Sequence, residues 1–401
     1  MPDITASPQP KPQPAATRRA PEAGRPFFGL IDPVLVPSPT QFEFDGAIGR
    51  AHAAAAWTWM LRDLAPDLID PTAEDNDAAR ESLDAAMPEL MQRAKKAMLE
   101  AEDNPETERR MRIQFGGDEP YGRLPAVLHA LKCRSLLDKA QAYGRAVNAM
   151  MDEAQLCLAL QSMPLNDQAV YAVLMQAAMG QVANPHRLMA AVVRTVGATT
   201  EGAIMRAGYA PLIDAIFSHA QAQIPALQQF GAFADIDLTC RAIERFHKLM
   251  RAVTGYVEIG RLSRWATVAG GLTTTVSALI EPRLRDVAPD VNRALRRRDG
   301  TDRLDSDLLL SALNGCYVLA AVRESRDSLA LNALFDQTWQ QVGQALEMHV
   351  QRNLELYRAN PMDRIVGERL DAAIKMTELR FNTEYADVLR RARESADRRV
   401  M

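Results

Sequence analysis

Apolar residues recur every three or four positions along most of the chain from Asp45 onward, which is the spacing of one face of an α-helix. The clearest run follows Asp237. Its members are Ile243, Phe246, Leu249, Met250, Val253, Tyr256, Val257, Leu262, Trp265 and Val268. The pattern predicts an all-α fold, a multi-helix bundle of long antiparallel helices with more than about 65% helix.

Residues that commonly start or end helices occur at intervals along these apolar stretches. Asn184 is followed by proline and predicts a helix start, and Gly197 can end the same helix in a left-handed conformation. Asp305 and Asp327 are each placed to cap a following helix through a side-chain oxygen. These signals predict several separate helices with short connections.

Two stretches interrupt the helical pattern. Residues 104–122 contain turn signals, and the alternation in "MRIQF" permits a short strand, at most one hairpin near 111–120. In "RWATVAGGLTTTVSALI" (264–280) the apolar stripe continues through Gly270 and Gly271. Two adjacent glycines cost a helix roughly 2 kcal/mol relative to alanine. We therefore predict a kink or break there, at a joint between packed helices.

The first forty residues differ from the rest. They hold 10 of the 23 prolines, and residues 1–40 are predicted to form a disordered, proline-rich arm. Within the arm, residues 26–37 ("PFFGLIDPVLVP") are apolar and are predicted to be extended. This docking segment either packs on the chain's own core, which the sequence favours, or binds a partner. The candidate partner-binding residues are Phe27, Phe28, Leu30 and Ile31.

The remaining residues, 41–401, are predicted to form one all-helical domain. The stretch "QQFGAFADID" interrupts the helices, so a subdivision near residues 232–235 is left open. No fixed repeat period is visible by eye. The sequence therefore does not decide between one bundle and two packed subdomains.

Composition and charge narrow the function classes. Apolar residues make up 47% of the chain, charged residues 24%, and the formal net charge is −4. No global field favours nucleic acid, and the basic clusters are interleaved with acidic residues, so no nucleic-acid binding is expected. The longest uncharged stretch has 16 residues between Arg264 and Glu281, fewer than the roughly 20 of a membrane span. With no visible secretory leader, a cytoplasmic location is expected.

Motifs of known chemistry are missing from the sequence. The four cysteines are dispersed, and the six histidines form no HExxH element, so no metal and no cofactor are expected. No GxSxG, GxGxxG or P-loop element occurs, and no motif points to a known family. If a catalytic site were assembled from distant residues, the first suspects would be Glu244, His247, Tyr256 and His349.

Two interpretations follow. The favoured one is a non-enzymatic helical protein that binds another macromolecule, a protein partner, in an interaction or scaffold role. The alternative is an all-α enzyme or small-ligand-binding bundle. Two or more histidines converging with carboxylates in a pocket would favour the enzyme, whereas scattered histidines with separate partners would favour the binding protein. Homo-oligomerisation is left open.

Overall fold

A computed structural model describes residues 25–70, 76–228, 235–296 and 304–398. The fold is all-α and 79% helical, which confirms the predicted fold class. The chain divides into two compact units, each with most of its contacts within itself. The smaller comprises residues 1–32 and 53–122, and the larger comprises residues 33–52 and 123–401. Residues 1–24 of the predicted arm and residues 229–234, beside the suggested subdivision, lie outside the described ranges.

The smaller unit is built from short and medium helices around one long one. Its helices are α1 (Arg25–Ile31), α2 (Arg50–Trp59, from Ala53 onward), α3 (Asp77–Asp103), α4 (Pro105–Gln114) and α5 (Asp118–Gly122), with a π-helical turn at Met60–Leu64. α3 packs against both α1 and α4. Its buried positions, Leu83, Met87, Leu90 and Ala94, recur every three or four residues and form its core face.

The sequence predicted an extended conformation for the apolar segment 26–37. Most of the segment is helical instead. It forms α1, a 3₁₀ turn at Asp32–Val34 and the strand β1 (Leu35–Val36). Pro26 sits in the first turn of α1, where its missing N–H is not needed. Pro33 and Pro37 follow α1, and proline disfavours continuation of an α-helix.

The interpretation of residues 104–122 as an interruption of the helices, with at most one short hairpin near 111–120, is also wrong, because α4 covers "MRIQ". Asn104 caps this helix by accepting a hydrogen bond from the backbone N–H of Glu106 at 2.9 Å, and Pro105 occupies the first helical position. A cap followed by proline is a strong helix-start signal, and it outweighs a five-residue alternation.

The larger unit holds the remaining elements. Strands β1 and β2 (Ile48–Gly49) pair in parallel, with Leu35 opposite Ile48. The helices are α6 (Leu124–Ala149), α7 (Glu153–Gln161), α8 (Gln168–Met179), α9 (Pro185–Val196), α10 (Glu201–Arg206), α11 (Ala210–Gln221), α12 (Ile224–Leu227), α13 (Ile236–Thr254), α14 (Arg264–Leu295), α15 (Ser306–Ser325), α16 (Asn332–Ala359), α17 (Arg364–Arg380) and α18 (Thr383–Asp397).

Helices that follow one another in the second half of this unit pack antiparallel. Asp290 of α14 accepts a hydrogen bond from Ser311 of α15 at 3.1 Å, while Val287, earlier in α14, contacts Gly315, later in α15. Along this pair the numbers run in opposite directions. α16 and α17 show the same relation, because Tyr357 lies beside Gly367 and Arg380 donates to the carbonyl oxygen of Trp339. The predicted antiparallel neighbours are therefore present.

Most of the predicted helix ends are confirmed. Asn184 accepts from the N–H of His186 at 3.2 Å, and Gly197 ends α9 with φ of 72°. Asp305 caps α15 by accepting from Leu308 at 3.1 Å. Asp327 does not act as predicted, because it lies in a 3₁₀ turn and α16 begins five residues later.

α14 runs without a break through Gly270 and Gly271, contrary to the predicted joint. Its stripe of Trp265, Val268, Leu272, Val276 and Ile280 is buried, and this packing outweighs the low helix propensity of glycine. A Cβ on Gly271 would lie 2.6 Å from Cζ of Phe42, so the close neighbour at this position is a loop side chain and not a second helix. None of the helices in the described ranges is long and apolar enough to cross a membrane.

Candidate functional site

Two long helices of the larger unit, α14 and α16, lie side by side in parallel. Thr338 Oγ1 donates to the carbonyl oxygen of Leu284 at 3.4 Å. Further along, Asn292 Oδ1 lies 3.1 Å from His349 Nε2. Because residue numbers rise together on the two helices, both run in the same direction and present a shared outer face.

A shallow groove of about 470 Å³ runs along this face. We call it the α14–α16 groove. Its seven lining residues are Ala288, Pro289, Asn292, Gln341, Gln344, Ala345 and Met348, all uncharged. The lining is therefore apolar with amide groups, on a chain in which 24% of residues are charged.

The floor of the groove is made of small side chains and its wall of a flexible one. Ala288 and Ala345 are each 5% exposed, whereas Met348 is 55% exposed. Small residues allow another backbone to approach closely, and methionine adapts its shape to what it contacts. This arrangement suits a helix laid along the groove.

Pro289 lies in the lining of the groove and inside α14. Proline has no backbone N–H, so it cannot donate the usual helical hydrogen bond to the carbonyl oxygen of Arg285 one turn earlier.

A buried histidine lies directly beneath the groove. His349 is 4% exposed, and its hydrogen bond to Asn292 connects it to the lining. Burial lowers its pKa, and the charges of Arg352 and Arg369 lower it further. Its Nδ1 has no partner among the described residues. The imidazole is therefore held neutral, and Asn292 is oriented by a rigid neighbour.

The other candidate catalytic residues from the sequence analysis do not lie with His349. His247 lies on α13, where its Nδ1 is 3.0 Å from Ser328 Oγ, and burial lowers its pKa, with a smaller contribution from Arg251. Glu244 is exposed on the same helix, and Tyr256 contacts a different histidine, His186, with ring centroids 6.1 Å apart. His186 was not singled out from the sequence, because its contact partner lies seventy residues away.

Possible metal ligands do not cluster in the described part of the chain, and two of the four cysteines have raised pKa values. There, no group of three or more His, Cys, Asp or Glu residues is arranged to hold a metal ion. Burial raises the pKa of Cys240 to about 11 and that of Cys316 to about 12. Both thiols therefore stay protonated near neutral pH and are poor nucleophiles.

The predicted partner-binding residues lie in the smaller unit. Phe27 and Ile31 are 0% exposed and Phe28 is 5% exposed, while Leu30 is half-buried. The Phe27 ring stacks on Trp57 with centroids 4.9 Å apart. These contacts correspond to the self-packing alternative that the sequence favoured. Partner binding by these four residues stays a prediction.

A second groove, of about 700 Å³, lies beside α4 and α5 in the smaller unit. It is larger than the α14–α16 groove but more charged. Arg112, in its wall, pairs with Glu108 at 2.6 Å and lies over the Tyr121 ring, so its charge is already engaged. The α14–α16 groove is therefore the better candidate for an apolar contact.

Sequence reasoning did not find the α14–α16 groove, because its two walls lie about fifty residues apart along the chain. One local signal could have indicated it. Gln341, Gln344 and Met348 are uncharged and are spaced by three and four, so they lie on one side of the predicted helix. Comparison with protein-family models, curated proteins and solved structures finds no match for this chain.

Proposed function

We propose that this chain is a cytoplasmic, non-enzymatic helical protein that binds a protein partner through the α14–α16 groove. The partner contributes one amphipathic helix, whose apolar side lies on Ala288, Ala345 and Met348. The observation that carries the proposal is the uncharged lining of the groove. Interface cores are depleted of charge and enriched in methionine relative to the rest of a protein surface.

The histidine placements support a binding role over the enzyme alternative. His247 and His349 have separate hydrogen-bond partners, Ser328 and Asn292. Their pKa values are lowered mainly by burial, and neither is paired with a carboxylate in these hydrogen bonds. A general base is usually oriented by such a partner, so these histidines are better explained as core residues.

The test compares two exposed methionines. Met348→Arg places a charge in the groove, and Met362→Arg places the same charge on a residue that is 80% exposed in the α16–α17 connection. Each tagged variant is expressed in the native host and purified with whatever co-purifies. Since a buried, unpaired charge is costly, we expect Met348→Arg to reduce recovery of a specific partner by about tenfold or more.

Both variants should melt close to the wild-type temperature, because both side chains are largely exposed in the isolated chain. Equal partner recovery with the two variants would contradict the proposal. Loss of recovery with both would instead indicate a non-specific effect of added charge.

A further inference from the structure

A small cavity lies in the larger unit beneath residues 40–47, which we call the strap. The strap and its flanks provide Val36, Thr40, Phe42, Glu43, Phe44, Ala47 and Gly49, and the rest of the wall comes from His52, Arg123, Ser218 and Gln221. The strap lies over α11 and the start of α14. Its contacts show how firmly the strap is held.

Side chains from several helices hold the strap in place. Gln221 bonds both backbone groups of Phe42, accepting from its N–H at 2.7 Å and donating to its carbonyl oxygen at 2.9 Å. Arg264 donates to the carbonyl oxygen of Glu43 at 2.8 Å, and Arg123 Nε donates to the Glu43 carboxylate at 2.9 Å. The cavity is therefore a fixed feature of the fold.

Ser218 faces this cavity with an unpaired hydroxyl. The residue is 1% exposed, and its Oγ has no hydrogen-bond partner among the described residues. A serine within a helix can usually donate to a carbonyl one turn earlier, but Ser218 does not. Buried hydroxyls are rarely left unsatisfied, so this one indicates a partner within the cavity.

The size of the cavity limits what that partner can be. The space open to the centre of a water molecule is about 20 Å³, and about 10–15 Å³ measured in this way accommodates one water. The wall also carries the polar side chains of Thr40, His52, Arg123 and Gln221. A buried water typically makes about three hydrogen bonds, and the hydroxyls of Ser218 and Thr40 lie in the same wall.

We propose that the cavity binds a single water molecule, which accepts from or donates to Ser218 Oγ and connects α11 to the strap. The ligand class is a neutral hydrogen-bonding molecule of one heavy atom. The water adds to the hydrogen bonds that Gln221 of α11 makes with the backbone of Phe42. This inference is independent of the proposed partner.

The first test is a pair of serine variants. Ser277 is 5% exposed on α14, and its Oγ accepts from the N–H of Ala330 at 2.9 Å, so it is a buried serine with a known partner. Ser277→Ala should lower the melting temperature. If Ser218 binds water, Ser218→Ala should lower it to a similar extent, because the water loses a partner.

The second test is a high-resolution crystal structure of the wild-type chain, which does not depend on how any variant folds. We expect water density within hydrogen-bonding distance of Ser218 Oγ. The inference is overturned if that position holds no density. It is equally overturned if Ser218→Ala melts at or above the wild-type temperature, since removal of an unpaired buried hydroxyl should be neutral or stabilising.

Discussion

The ring of Phe42 occupies the space that any side chain at Gly271 would need. A Cβ at Gly271 would meet that ring at 2.6 Å and the Gln41 side chain at 3.1 Å, whereas a Cβ at the neighbouring Gly270 would have nothing within 4 Å. Both glycines lie in the same helix. One is therefore required by packing, and the other only lowers helix propensity.

This difference predicts opposite effects of the same substitution. Gly271→Ala should destabilise the chain by about 1–3 kcal/mol, because Phe42 must move, and Gly271→Leu should do so at least as strongly. Gly270→Ala should stabilise it by up to about 1 kcal/mol. Urea denaturation measures both. A stabilised Gly271→Ala protein would show that the strap yields without cost.

His219 makes the stability depend on pH. Its pKa is lowered to about 4, mainly by burial and to a smaller extent by the charge of Arg245, while its hydrogen bond to the Gln176 carbonyl oxygen, with Nε2 at 2.8 Å, opposes the shift. The unfolded state, with a pKa near 6.5, therefore binds more protons between these values. The neutral His219 therefore contributes to the free energy of unfolding. This contribution is complete above about pH 6.5 and is lost as the pH falls toward 4, by at most about 3 kcal/mol.

Denaturation midpoints measured from pH 7.5 to 4 test this expectation. His219→Gln should flatten part of the decline. Lowered pKa values at His186, His247 and His349 account for the part that remains. A decline of unchanged steepness in His219→Gln would rule out His219 as a contributor.

At the level of elements, α1 contributes core side chains to the smaller unit. Changing Phe27 and Phe28 together to Ser should lower the melting temperature clearly, because truncating one fully buried phenylalanine costs roughly 3–5 kcal/mol. Ile113→Ser, at a residue 72% exposed in the same unit, is the control and should change stability by less than about 0.5 kcal/mol.

An unchanged melting temperature in the Phe27/Phe28 variant, with loss of a co-purifying partner, would instead identify the segment as a docking motif. Deletion experiments should follow the same logic. Removing residues 1–24 leaves α1 intact, whereas removing residues 1–40 deletes the buried Phe27, Ile31, Val34 and Val36.

The elements also show what the sequence could and could not predict. The α13 stripe and the caps at Asn184 and Asp305 were predictable, because periodicity and capping are local signals. The continuity of α14 was not, since it depends on burial against residues far away in sequence. The helix at α4 was missed because the turn signals of residues 104–122 were given more weight than the cap at Asn104.

At the scale of the whole molecule, the fold class follows from pattern but the division does not. The larger unit takes residues 33–52 from one part of the chain and residues 123–401 from another. Each unit is thus made of two separate segments of the chain, and the sequence shows no change of composition where one segment ends and the next begins. The α14–α16 groove has the same origin, because its walls meet only after folding. Local motifs therefore could not predict this groove, because it is formed by residues that are far apart in the sequence.

The central claim is that the α14–α16 groove binds a partner protein. Photocrosslinking in the native host tests it most directly, with a benzophenone side chain placed at position 348 or, as the control, at position 362. We expect position 348 to give a covalent adduct with one other protein, and position 362 to give none. No adduct from 348, equal adducts from both positions, or an adduct made of two copies of this chain would contradict the proposal.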